Sequence, residues 1–118
     1  MGTFTCPLRL TSPDRERTLD LEALVDTGAF YTHAPASLLD ELGIARNENV
    51  SLEFADGRIG RYDMGEAQAS INGKSVTTLV VFGDDEAKPL LGAYTLEGLN
   101  LAVDPVHQRL LPIEKRTI

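Results

Sequence analysis

Asp26, Thr27 and Gly28 are the residues whose types and order point most directly to chemistry. They end the apolar run Ala23-Leu24-Val25 and are followed by Ala29. An aspartate at the end of a buried strand is costly unless its charge is paired or hydrogen-bonded. Gly28 can leave the extended region, and a threonine hydroxyl can tie down a neighbouring backbone. Taken by itself the triplet also suits an ordinary turn. Average composition places it by accident in roughly 2 of 100 chains of this size. Its neighbours must decide.

Other candidate groups are weaker. His33 and His107 could join Asp and Ser in a triad, but no nucleophile elbow of the G-x-S-x-G kind occurs. Both histidines read as solvated side chains near a helix start or in a turn. Asp84-Asp85-Glu86 lacks the spaced oxygen ligands of a cation loop and reads as a solvated acidic stretch. Cys6 is the only cysteine, which excludes an intrachain disulfide and a cysteine-based zinc cage. It reads as a small buried hydrophobe in the first strand.

The elements that must position these residues are mostly strands. Thr3–Leu10 alternates apolar and polar, and the turn signal Ser12-Pro13-Asp14 leads to Arg17–Val25, so the two runs form a hairpin. Pro35–Leu42 is a short helix with Pro35 at its first position. Leu38, Leu39 and Leu42 share one face of it, and Gly43 ends it. Val50–Phe54 and Ile59–Tyr62 flank the tight turn Ala55-Asp56-Gly57-Arg58. Glu66–Ile71 and Ser75–Phe82 form a hairpin about Asn72-Gly73. Lys88–Gly92 is short and apolar, Ala93–Leu99 makes one or two helical turns, and Leu101–Val103 and Arg109–Ile113 are the last strands. An apolar pair followed closely by Gly and then a short helix occurs in both halves, as it would in two half-barrels about a pseudo-dyad.

The balance of the chain narrows the function further. Its 118 residues suit one domain, 1–118, with 42% hydrophobic and 25% charged residues. A formal charge of −7 disfavours nucleic acid, which needs a basic face to displace counterions. No apolar run approaches a membrane span, and Met1–Leu10 has no signal-peptide pattern, so the expected place is the cytoplasm.

Asp26-Thr27-Gly28-Ala29, the hairpin with its Asp-Gly turn, and Leu90-Leu91-Gly92 before a short helix together resemble the retropepsin family. These are the aspartic proteases of retroviral type, including small stand-alone bacterial and archaeal relatives. The resemblance runs from about Thr3 to Pro105. It implies a mainly β fold, a closed acid-protease barrel with one or two short helices, and peptide-bond hydrolysis without metal or cofactor. That chemistry needs two carboxylates sharing one proton. Leu90-Leu91-Gly92 stands where a second Asp-Thr-Gly would have to be, so two copies would each contribute Asp26 about a twofold axis.

The resemblance assigns Asp26 to catalysis and Thr27 to a hydrogen bond crossing between the two active-site loops. Gly28 takes close backbone approach and substrate binding, and Ala29 lines the same floor. Leu90, Leu91 and Gly92 lie beneath the site, and Ala55, Asp56, Gly57 and Arg58 form the tip of a flap over an extended peptide. Ala29 lacks the hydroxyl that the pepsin branch directs at its carboxylates, so the shared proton should be held to higher pH. Two departures concern the dimer. Retroviral members carry an Asp where Phe30 stands and an Arg where Ala93 stands, and this exchange trades an ion pair for an apolar contact. Two rivals remain at this point: a catalytically weak or inactive peptide-binding and dimerisation module on the same fold, and a monomer whose Asp-Thr-Gly is only a turn.

Overall fold

The computed structural model describes residues 4–115. Thr3, where the sequence pattern starts the first strand, lies outside the described residues. Strand β1 (Phe4–Thr11) pairs antiparallel with β2 (Thr18–Val25), from Phe4 opposite Val25 to Thr11 opposite Thr18. Alternation places Leu8 and Leu10 of β1 and Ala23 and Val25 of β2 in the core. Cys6 is only half-buried on β1, not fully buried as expected. Burial, with Glu22 adding to it, raises its thiol pKa.

Strand β3 (Thr32–Pro35) follows the Asp-Thr-Gly segment and has no counterpart in the sequence analysis. Four residues give too short an alternation to stand out, and its partners are distant in sequence. It leads straight into helix α1 (Ala36–Leu42). Pro35 closes β3 and caps α1 at φ −56° and ψ 132°, instead of occupying the first helical position. Leu39 and Leu42 are buried while Leu38 is only partly so. Gly43 ends the helix in the left-handed region at φ 88°.

The long hairpin that follows differs from the expected one. Strand β4 (Glu48–Glu53) begins two residues early and pairs with β5 (Ile59–Ile71), a single strand of 13 residues where two separate ones were expected. The break was expected around Asp63-Met64-Gly65. Gly65 keeps the ladder because the segment after α1 crosses it at close range: a Cβ there would lie 2.2 Å from the Ala45 carbonyl oxygen. The glycine marks a close approach, not a turn. β5 then turns at Asn72 (φ 52°) and Gly73 (φ 83°) into β6 (Lys74–Gly83), as the Asn-Gly pair predicts.

Strand β7 (Leu90–Leu91), helix α2 (Ala93–Gly98) and the hairpin of β8 (Leu101–Asp104) and β9 (Arg109–Pro112) complete the chain's elements. The main sheet has the order β1-β2-β7-β3-β6-β5-β4, with a further antiparallel pairing of β1 to β5. Two of its contacts are parallel: β2 with β7, and β3 with β6. The fold is mainly β with two short helices, each entered directly from the strand before it. No helix among the described residues is long and apolar enough to cross a membrane.

Candidate active site

The two parallel pairings place the Asp-Thr-Gly segment. Leu24 lies opposite Leu90 and Val25 opposite Leu91, so β7 carries β2 up to its last residue. The Asp26 amide then donates to the Leu91 carbonyl at 3.3 Å. Beyond that contact the chain turns, with the Ala29 amide donating to the Asp26 carbonyl at 3.1 Å. The Gly28 amide donates to Asp26 Oδ1 at 2.9 Å and fixes the carboxylate over the turn. A Cβ on residue 28 would stand 3.1 Å from that same oxygen, so a side chain there would crowd the acid. Asp26 itself is half-buried, and Thr27 and Gly28 are exposed. The acid at the strand end is thus neither fully buried nor fully exposed, and the two residues after it are open to solvent.

Helix α2 is the second support. It has no side-chain cap; instead its first amides are satisfied by the loop. Ala93 N–H donates to the Ala29 carbonyl at 2.9 Å and Tyr94 N–H to the Phe30 carbonyl at 2.8 Å. Gly92 permits this contact. A Cβ on it would lie 2.5 Å from both C and O of Tyr31 and 2.6 Å from the Phe30 oxygen.

Beneath the loop lies a set of buried hydroxyls that the sequence analysis missed. Thr32 and Thr95 Oγ1 atoms are 2.6 Å apart, Thr95 and Thr78 are 2.8 Å apart, and the Gly92 amide donates to Thr32 Oγ1 at 3.1 Å. All three threonines are at most 2% exposed. The chain of bonds ties β3, β6 and α2 to the base of the loop, and each hydroxyl keeps a partner away from water. The one sequence clue was a threonine shortly after each of Gly28 and Gly92 in the repeated pattern.

The expected flap is the β4–β5 turn. Gly57 N–H donates to the Phe54 carbonyl at 2.9 Å, and Gly57 adopts φ 87°. Ala55, Asp56, Gly57 and Arg58 are all exposed. Asp56 clips the tip, accepting from the Arg58 amide at 2.9 Å and from the Arg58 guanidinium at 3.0 Å. These bonds, the amide first, hold its carboxyl below the usual 3.8. The folded turn thus binds this proton more weakly than the unfolded chain, and the tie is complete above 3.8 and lost as pH falls below it. Exchange of the Arg58 amide, corrected for its intrinsic rate, should speed up between about pH 5 and about pH 2. Unchanged protection over that range would mean that the backbone turn alone holds the tip.

The remaining sequence candidates fall elsewhere. His107 pairs with Asp104 at 2.8 Å on the β8–β9 turn, where it is exposed. Asp84, Asp85 and Glu86 are exposed, and Asp85 accepts from the Ser37 amide at 2.9 Å. No group of three or more His, Cys, Asp or Glu placed to hold a metal occurs among the described residues. His33, expected to be solvated, is half-buried on β3. A wide recess of about 580 Å³ between Arg9 and Ser75 is lined by none of the loop's residues.

The loop thus lies between a parallel strand pair and a helix whose first amides it satisfies. Three solved structures share the architecture. The Simian Foamy Virus (mac) protease is 16% identical, with 79% of this chain and 91% of that one covered and a TM-score of 0.55. The EIAV protease complexed with the inhibitor HBY-793 is 19% identical over 81% and 86%, TM-score 0.57. The retroviral protease-like domain of Ddi1 from Leishmania major is 14% identical over 95% and 89%, TM-score 0.59. No family model matches the chain, and no curated protein matches it in sequence. The chain has the retropepsin-like fold.

Proposed function

We propose that the chain is an aspartic endopeptidase that works as a homodimer. The observation that carries this reading is the Asp26 carboxylate, held by the Gly28 amide in a loop whose next two residues, Thr27 and Gly28, are exposed. The sequence contains one Asp-Thr-Gly, and the chemistry needs two such acids. With two copies, the ionised Asp26 takes a proton from a water while the protonated one gives its proton to the peptide carbonyl oxygen. Water oxygen bonds to the carbonyl carbon, and the resulting diol collapses as the amine leaves with a proton. Thr27, whose hydroxyl makes no hydrogen bond to another described residue, is free to cross to the partner's loop. The polar tip Ala55–Arg58 is the flap, and Leu90, Leu91 and Gly92 support the floor with Ala29.

Further features support the same reading. Phe30 is 55% exposed and Tyr94 41%, their rings 5.6 Å apart beside the loop. Phe30 stands where retroviral members have an Asp, and Tyr94 follows Ala93, which stands where they have an Arg. The closed-barrel description rests on the β1–β5 pairing, which joins strands far apart in the sheet order. One hydrophobic cluster from Leu8 to Leu101 fits a single domain over 1–118. The acidic chain with one cysteine suits a cytoplasmic place and a peptide substrate.

Activity per chain should fall on dilution below the dimer dissociation constant, and sedimentation should give that constant. Phe30→Ser is expected to weaken it about 10- to 100-fold, as for a central aromatic contact. A strict monomer that still cleaves peptides would end the dimer reading.

A further inference from the structure

Strands β2, β7 and β3 lie side by side, and their outward residues make a row. Leu90 stands opposite Leu24 on one side and opposite His33 on the other. Val25, Leu91, Thr32 and Ala34 are buried on the other face. Asp26, two residues beyond Leu24, therefore leaves its strand on the same side as this row. Two strand spacings, roughly 10 Å, separate β2 from β3.

Next to Leu90 and His33 is a recess of about 110 Å³. Its walls include Phe54, at the base of the proposed flap, and Tyr62, whose ring meets Phe54 edge-on at 5.8 Å. Gly83 also lines it, and a Cβ there would sit in ordinary contact with the Ala34 carbonyl oxygen at 3.4 Å and His33 Nδ1 at 3.9 Å, so a larger side chain would occupy the recess. The imidazole makes no side-chain hydrogen bond to another described residue. The titratable or charged groups that share the recess are the Tyr62 hydroxyl, Asp84 and Lys88; Phe54, Ala34, Ala87 and Leu90 are apolar. For scale, an apolar cavity of ~150 Å³ accommodates benzene, so this one fits a side chain the size of valine or leucine.

We propose that this recess receives one apolar side chain of the bound peptide and that His33 admits it in the neutral form. The proposal rests on the peptide-cleaving reading above and adds a specificity-determining residue to it. Burial already holds the imidazole below its usual 6.5. An apolar guest removes the remaining water and disfavours the charged ring further. Binding then expels a proton whenever His33 starts protonated. Below the His33 pKa, KM for such a peptide rises by up to tenfold per pH unit, the limit for one linked proton. With the peptide bound, His33 is neutral and leaves kcat unaffected.

The test uses a randomised peptide library. Cleavage by the wild type is profiled at about pH 5 and about pH 7, on either side of the ordinary histidine range. The same library is captured on Asp26→Asn protein, alone and combined with His33→Gln or Gly83→Val. Valine and leucine should be enriched at one position, several-fold more at the higher pH. His33→Gln should erase that pH dependence, and Gly83→Val, which fills the recess, should erase the enrichment itself. Absence of enrichment, the same enrichment at both pH values, or a pH dependence that survives His33→Gln overturns the proposal. Capture with the expected pattern but no cleavage by the wild type overturns the protease reading and leaves the recess assignment standing.

Discussion

On the proposed function, Asp26→Asn is expected to abolish peptide cleavage while preserving the fold and the proposed dimer. The amide cannot take a proton from water and cannot carry the one proton that two acids share. General acid and base catalysis are lost together, so the rate should drop on the order of 10⁴-fold or more. The fold should tolerate the change because the Gly28 amide, 2.9 Å from Oδ1, can donate equally to an amide oxygen. The dimer should tighten, since two close carboxylates repel and two amides do not. Thermal unfolding, sedimentation and a cleavage assay on the same preparation separate these effects. Cleavage that persists at the wild-type rate would assign the activity to another group or to a contaminant.

Gly92→Ala should produce a large loss of stability. The three atoms that the new methyl would meet at 2.5–2.6 Å all belong to the backbone of Phe30 and Tyr31, so no rotamer change relieves the contact. Gly92 itself sits at φ −95° and ψ 170°, which alanine adopts freely, and the cost therefore comes from the neighbours. Either the loop or α2 must move. The bonds from Ala93 and Tyr94 to the loop carbonyls and from Gly92 to Thr32 are then strained together. Overpacking and weakened buried hydrogen bonds add to about 3–5 kcal/mol. Gly73→Ala is the internal control: its Cβ would meet nothing within 4 Å, and only the left-handed φ of 83° opposes it, at roughly 1 kcal/mol. Equal losses in the two variants by denaturant titration would show that the loop moves aside without strain.

The sequence made the Asp26 loop, the Asn72-Gly73 hairpin and both helices legible because each carries a local mark. A triplet, a turn dipeptide or an apolar face can be read within a few residues. What escaped has a long-range cause. β3 exists because β6 and β7 flank it, and nothing in Thr32–Pro35 names those partners. Gly65 falls in the gap between the expected strands Ile59–Tyr62 and Glu66–Ile71, and the neighbour that crosses it, Ala45, is twenty residues away in the segment after α1. The buried set Thr32, Thr78 and Thr95 could not be assembled before the two parallel pairings were known.

The hydroxyl contact between Thr32 and Thr95 spans 63 positions in the chain, and the one from Gly92 to Thr32 spans 60. The hairpins β1–β2, β4–β5 and β5–β6, by contrast, close through short turns. Loop-closure entropy delays contacts of high sequence separation until local pairs have formed. The Asp26 loop should therefore be a late event in folding, organised only when β7 slides in between β2 and β3. Its amides would gain protection after those of the hairpins in a pulse-labelled refolding experiment. An intermediate with its hairpins formed would expose β2 without its neighbour, an unpaired edge beside an apolar run, and self-association should be greatest during that interval.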